Sequence, residues 1–190
     1  MASVYQRVLI TGLILLATAA ALEIVPGENQ QLILEVEKTG LMKGKKHVLF
    51  FPRFQGKVNY DDAQPQNSSV ELQVEAGVVV CKDTWVSEKD RKDIEEYALE
   101  LLVAREHPKI RFRSTKVEPK GSDEFLVSGN LEMRGVAKPV TVMVSRKPAN
   151  LFEGSTRFRM SDWGIKPRRA VLGVIGTKDE TTLTFALTAR

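Results

Sequence analysis

Cysteine is almost absent from this chain: Cys81 is the single one in 190 residues. One thiol cannot close an internal disulfide, so stability must come from packing and from ladder hydrogen bonds. Cys81 ends the run Val78-Val79-Val80, which marks it as a buried small hydrophobe. Histidine is nearly as scarce. His47 and His107 stand far apart, neither with a second ligand-type residue at metal spacing, which argues against a zinc-type site. There is no Gly-x-Ser-x-Gly elbow and no Walker-type loop, so the common hydrolase and nucleotide-binding signatures are missing. Asp61-Asp62 reads as a solvated turn and Glu95-Glu96 as the wet face of a helix. No aromatic-rich basic module points to nucleic acid. The net charge of +4 is spread through the chain. It clusters only at Lys43 to His47 and at Lys166 to Arg169, where solvated loops or attraction to an anionic head group or membrane surface both fit.

Long apolar runs are missing except at the N-terminus. Arg7 precedes the run Val8 to Ala17, followed by Ala17-Thr18-Ala19 and Ala19-Ala20-Ala21. A basic start, a short apolar stretch and small residues form a secretory signal peptide, expected over 1–21 and removed on export. The run is short for a membrane span, which needs about 20 residues. A single domain over 22–190 is expected to follow.

What the chain has in quantity is alternation. Ile110, Phe112 and Ser114 alternate with Arg111, Arg113 and Thr115. Phe125, Val127, Gly129, Leu131 and Met133 share a second face, and Val140, Val142 and Val144 a third. Lys120 to Asp123 and Arg134 to Pro139 reverse the chain between them. Period two over consecutive runs predicts antiparallel strands with one apolar and one wet face. The same pattern predicts eight strands, near 30–38, 47–60, 68–80, 109–117, 124–134, 138–147, 152–161 and 180–190, with Pro52 marking a bulge or edge. Between the third and fourth the period changes. Ser87 and Asp90 form a capping box, and Ile94, Tyr97, Ala98, Leu101 and Leu102 recur at helical spacing. One helix is expected over Glu88 to Ala104.

The ordered residues His107, Pro108, Ile110, Phe112, Ser114, Thr115, then Val127, Gly129, Leu131, Arg134 to Val136, Lys138 to Val140 and Val142, resemble the central part of the YceI-like family. Asp162-Trp163-Gly164-Ile165 is similar to a further element of that family. The resemblance implies a mainly β fold: an eight-stranded, antiparallel, lipocalin-like β-barrel with one helix covering an end. It also implies an exported, periplasmic or secreted, non-catalytic protein that binds a polyisoprenoid lipid or isoprenoid quinone and takes no other cofactor.

Parity then assigns candidate ligand contacts. The first strands contribute Leu34 and Val36, Phe50 and Val58, and Leu72 and Val74. The central strands contribute Ile110 and Phe112, Leu131 and Val142, and the last two contribute Phe158 and Met160, and Phe185 and Leu187. Lys46, His47, Arg168 and Arg169 are the head-group candidates. Trp85 and Trp163 fit either packing anchors or the end of a cavity. The competing reading is an exported structural or interaction protein whose barrel core is solid.

Overall fold

The computed structural model describes residues 21–28, 30–167, 169–170 and 174–190, with 169 and 170 as backbone alone. The leader expected over 1–21 and the candidate Arg168 therefore lie outside the described residues, Ala21 excepted.

Twelve strand segments are present. They are β1 (Ala21–Ile24), β2 (Gln31–Gly40), β3 (Lys46–Phe50), β4 (Phe54–Asn59), β5 (Ser69–Glu75), β6 (Val80–Cys81), β7 (Lys109–Pro119), β8 (Glu124–Met133), β9 (Val136–Lys147), β10 (Leu151–Arg159), β11 (Arg169–Ala170) and β12 (Ile175–Thr188). One helix, α1 (Glu88–Leu101), falls between β6 and β7. Short helical turns occupy Pro65–Asn67, Pro148–Asn150 and Met160–Trp163. The strands form one curled antiparallel sheet in the order β1-β4-β5-β7-β8-β9-β10-β12-β2-β3-β6, with β11 on β12.

The count exceeds the eight that patterning predicts because two predicted strands break and two short strands, β1 and β11, are added. Pro52 has no N–H for a ladder, and the chain changes partner there: β3 pairs with β2, whereas β4 pairs with β5. The stretch 68–80 divides likewise into β5, paired with β7, and β6, paired with β3. The added strand β1 pairs with β4, while Glu23 and Arg190 exchange backbone bonds of 2.7 and 2.9 Å beside an Ile24–Ala189 bridge. Thus β1 joins the first edge of the sheet to the chain's last residues. β12 starts at Ile175, earlier than the expected 180, and a register irregularity between Thr177 and Thr181 absorbs the extra length.

The turn between β8 and β9 follows from two residues. Arg134 and Gly135 have φ of 55° and 73°, and Met133 pairs with Val136 across them. Two consecutive left-handed residues twist with the strands they join, which suits a two-residue hairpin.

Helix α1 starts where expected. Ser87 Oγ accepts from Asp90 N, and the Asp90 carboxylate accepts from Ser87 N. It stops at Leu101, short of Ala104. Val103 takes the left-handed conformation with φ 50°, Val103 N donates to Glu100 O, and Ala104 N donates to Leu99 O. This is the helix-ending pattern that glycine normally occupies. The chain supplies valine instead, and composition gives no warning of it. The apolar stripe of α1 meets the core through Ala98 and Leu102, which are buried, and through Ile94, Leu99 and Leu101.

Candidate functional site: an apolar cavity with a polar mouth

The inner face of the sheet does not pack solid. It surrounds a cavity of about 190 Å³. For comparison, an apolar cavity of roughly 150 Å³ stays dry and accepts a benzene-sized guest. The walls come from β1, β2, β4, β5, β7 to β10 and β12, with Leu102 at the C-terminal end of α1 contributing at one end. Among the described lining residues, the side chains that carry oxygen are Tyr60, Ser68, Ser69 and Thr156. Thr156 is spent on the wall, its hydroxyl donating to Thr141 O at 2.9 Å.

Most parity assignments place their side chains here. Leu34, Val58, Leu72, Val74, Ile110, Phe112, Leu131, Val142, Phe158, Phe185 and Leu187 all line the cavity. Three do not reach it. Phe50 faces the other way: Leu49, not Phe50, pairs with Leu34, and Lys82 Nζ sits 5.5 Å from the centroid of the Phe50 ring. Val48 to Phe51 is apolar on both faces, so parity is ambiguous there, and Phe51 is the residue that lines the cavity. Val36 is buried, but it lies further toward the helix end, paired with His47 and Thr181. Met160 is buried in the turn that follows β10, where its carbonyl accepts from Ile165 N at 3.1 Å.

Two glycines shape the walls. A Cβ on Gly129 would stand 2.6 Å from Phe112 Cζ, and one on Gly154 would stand 2.6 Å from Phe185 Cζ. Each glycine lets an aromatic ring lie back against the neighbouring strand rather than project into the space.

At the helix end the cavity is bordered by Trp163 packing. Trp163 is 2% exposed, packs edge-on against Phe158 and donates from Nε1 to Leu131 O at 3.1 Å. It is a packing anchor beside the cavity. The cationic head-group candidates on β3 also stand at this end and do not line the cavity. His47 Nδ1 contacts Asp83 Oδ2 at 2.6 Å, and the ring stacks on Trp85. Asp83 is buried, and its other oxygen accepts from Val48 N at 2.7 Å. Lys46 pairs with Glu35 at 2.9 Å. Arg169, in β11, has its backbone paired to Gly176 of β12. Cys81 lies in the same layer, and burial pushes its thiol pKa up to about 11. That environment favours the inert thiol.

The opposite end is polar. Tyr60 follows β4 and lines the cavity at this end, its ring meeting Phe125 and Phe152 edge-on at 5.9 and 6.4 Å between centroids. Arg146, near the end of β9, lies over the same ring at 4.2 Å. Its Nη1 donates to Asp62 at 2.8 Å and its Nη2 to Asn150 Oδ1 at 3.1 Å. Burial alone would lower the Arg146 pKa, but bonds to Asp62 and Tyr60 outweigh it and leave the pKa raised. Tyr60 was detectable by parity with Val58. Nothing local marks Arg146, because its partner Asp62 is 84 positions away.

Comparison with known proteins agrees with this architecture. The profile of the YceI-like domain matches residues 28–189. A UPF0312 protein of Azotobacter vinelandii is 32% identical over 125 residues, 61% of this chain and 62% of that protein. A UPF0312 protein of Shewanella denitrificans is 30% identical over the same shares. The matched part therefore spans less than two thirds of the length of these relatives. Among solved structures, BcnA of Burkholderia cenocepacia superposes with a TM-score of 0.65 at 19% identity, covering 82% of this chain and 94% of BcnA. A Campylobacter jejuni YceI protein gives 0.55 at 14% identity, covering 75% and 84%. At these identities the likeness to the solved structures is one of fold.

Proposed function

This chain belongs to the YceI-like domain family, and on that premise we propose that it binds an isoprenoid-type lipid, a polyprenyl chain or an isoprenoid quinone, inside its curled sheet. The observation that carries this reading is the cavity: a space inside the sheet walled almost wholly by apolar side chains, with Tyr60 and Ser68 among its lining. In this reading β3 and β4 act as one bent strand, and the sheet works as a closed eight-stranded, lipocalin-like barrel. An eight-stranded barrel has room for one slim ligand.

The action is sequestration without turnover. Each CH₂ moved from water into such a cavity gains about 0.8 kcal/mol, so a prenyl tail binds through length rather than through directional contacts. Polar groups at the mouth orient the head. Residues 1–21 act as an export signal, the mature domain works in the periplasm or as a secreted protein, and any membrane contact is transient.

Native mass spectrometry of the exported protein, followed by organic extraction, tests the reading. A stoichiometric mass increment that extracts as a prenyl lipid is expected. A bare polypeptide mass, with no thermal shift on adding isoprenoid quinones or polyprenyl alcohols, would instead favour an exported interaction protein without a ligand. N-terminal sequencing of the same sample checks the leader, with a start near Ala20 to Glu23 expected.

A further inference from the structure

The mouth is built from donors that carry no net charge. Ser68 Oγ accepts from Asp61 N at 3.0 Å. A hydroxyl that accepts from the wall keeps its own proton to give. Arg146 stands beside Tyr60 at this end, but its guanidinium is engaged by Asp62 and Asn150 and lies over the Tyr60 ring. Asp61 adds a second carboxylate, held in place as it accepts from Ala63 N and Gln64 N at 3.0 and 2.9 Å. The guanidinium is thus already paired with Asp62, and Asp61 precedes Asp62 in the same turn.

We infer that this mouth selects isoprenoid lipids with a neutral oxygen head, a hydroxyl or a carbonyl, and rejects those ending in phosphate or diphosphate. The inference rests on the lipid-binding reading above and specifies its ligand class. A neutral oxygen leaving the cavity beside Ser68 and Tyr60 meets O–H donors and displaces no ion pair. A phosphate at the same place faces Asp61 and Asp62. It can pair with Arg146 only by displacing Asp62, and like charges brought together without a partner oppose binding.

The experiment titrates the exported protein, stripped of lipid on a hydrophobic resin, with three probes of similar tail length: geranylgeraniol, a short-tailed ubiquinone and geranylgeranyl diphosphate. The alcohol or the quinone is expected to bind at least about tenfold more tightly than the diphosphate. The tighter of these two identifies the head as hydroxyl or carbonyl. Asp62→Asn keeps the side-chain shape at a site 78% exposed. It is expected to strengthen diphosphate binding about fivefold, the upper range for one exposed ion pair, and to leave the alcohol unchanged. Ser68→Ala is expected to weaken the neutral ligands alone. A diphosphate that binds the unaltered protein as tightly as the alcohol overturns the inference while leaving lipid binding intact. A neutral-to-diphosphate ratio that Asp62→Asn does not change also overturns it. If none of the three probes binds, the lipid-binding reading itself fails, and head selection fails with it.

Discussion

Gly129→Ala puts the shape of the cavity wall to the test. Gly129 is buried on β8 opposite Ser114 of β7, just before the irregularity between Ser114 and Lys116. A Cβ there would stand 2.4 Å from Arg113 O and 2.6 Å from Phe112 Cζ, both far inside ordinary contact. Two responses are open. The β7–β8 ladder can spread, which weakens its hydrogen bonds, or the Phe112 ring can swing inward and occupy the cavity. The carbonyl belongs to the backbone and cannot turn aside, so some spreading accompanies either response. Overpacking of this kind costs about 1–3 kcal/mol. With a urea slope of roughly 2 kcal/mol per molar, the midpoint should fall by about 0.5–1.5 M. Ligand capacity should fall too, because Phe112 lines the cavity. Gly77→Ala is the control: nothing lies within 4 Å of its added Cβ, its φ is not left-handed, and the residue is exposed. That change should be neutral or stabilising by up to about 1 kcal/mol through the unfolded chain. Equal midpoints for the two variants, with unchanged lipid binding, would refute the account of how Gly129 makes room.

Other expectations follow from single sites. Val103→Gly should stabilise the protein by about 1 kcal/mol in urea unfolding, because it relieves a left-handed β-branched residue at the helix end; a loss of stability would contradict that ending. Asp83→Ala strips the acceptor from both His47 and Val48 N and should cost about 3 kcal/mol, whereas Asp83→Asn keeps one acceptor and should cost less. Native Cys81 should react with a disulfide reagent at pH 8 at least about a hundredfold more slowly than after unfolding, since its thiol ionises near pH 11 in place of 9.0. The same shift has a sign in stability. Between pH 9 and 11 the unfolded chain loses the thiol proton and the native state keeps it, so stability declines as pH rises through that window. Cys81→Ser should show a shallower decline over the same range.

How much was legible depends on how local each cause is. The faces of β7 and β8 could be read because Ile110 and Phe112, then Phe125 to Met133, alternate over enough residues for only one register to bury them. The start of α1 was legible because Ser87 and Asp90 cap each other within one turn. Its end was not: a glycine would have announced the reversal, and Val103 did not. Phe50 was misplaced because four apolar residues precede Pro52, so both faces look alike until Leu34 pairs with Leu49 and settles which side is inward. The space at the centre has a related cause. Alternation gives each strand an apolar face but does not state whether facing rings meet. Gly129 and Gly154 decide that by letting Phe112 and Phe185 lie back.

The sequence by itself therefore determined a β-rich chain with one capped helix and an inward apolar face on nearly every strand. Those are consequences of residue type and short-range period. Tertiary structure decided where the sheet turns at Pro52, that a cavity remains inside, and which end of it is polar. Tyr60 and Ser68 flank one turn, and Arg146 reaches Tyr60 from β9, held by Asp62. Such a site has no signature in linear order, because folding brings distant residues together and their spacing along the chain carries no trace of it.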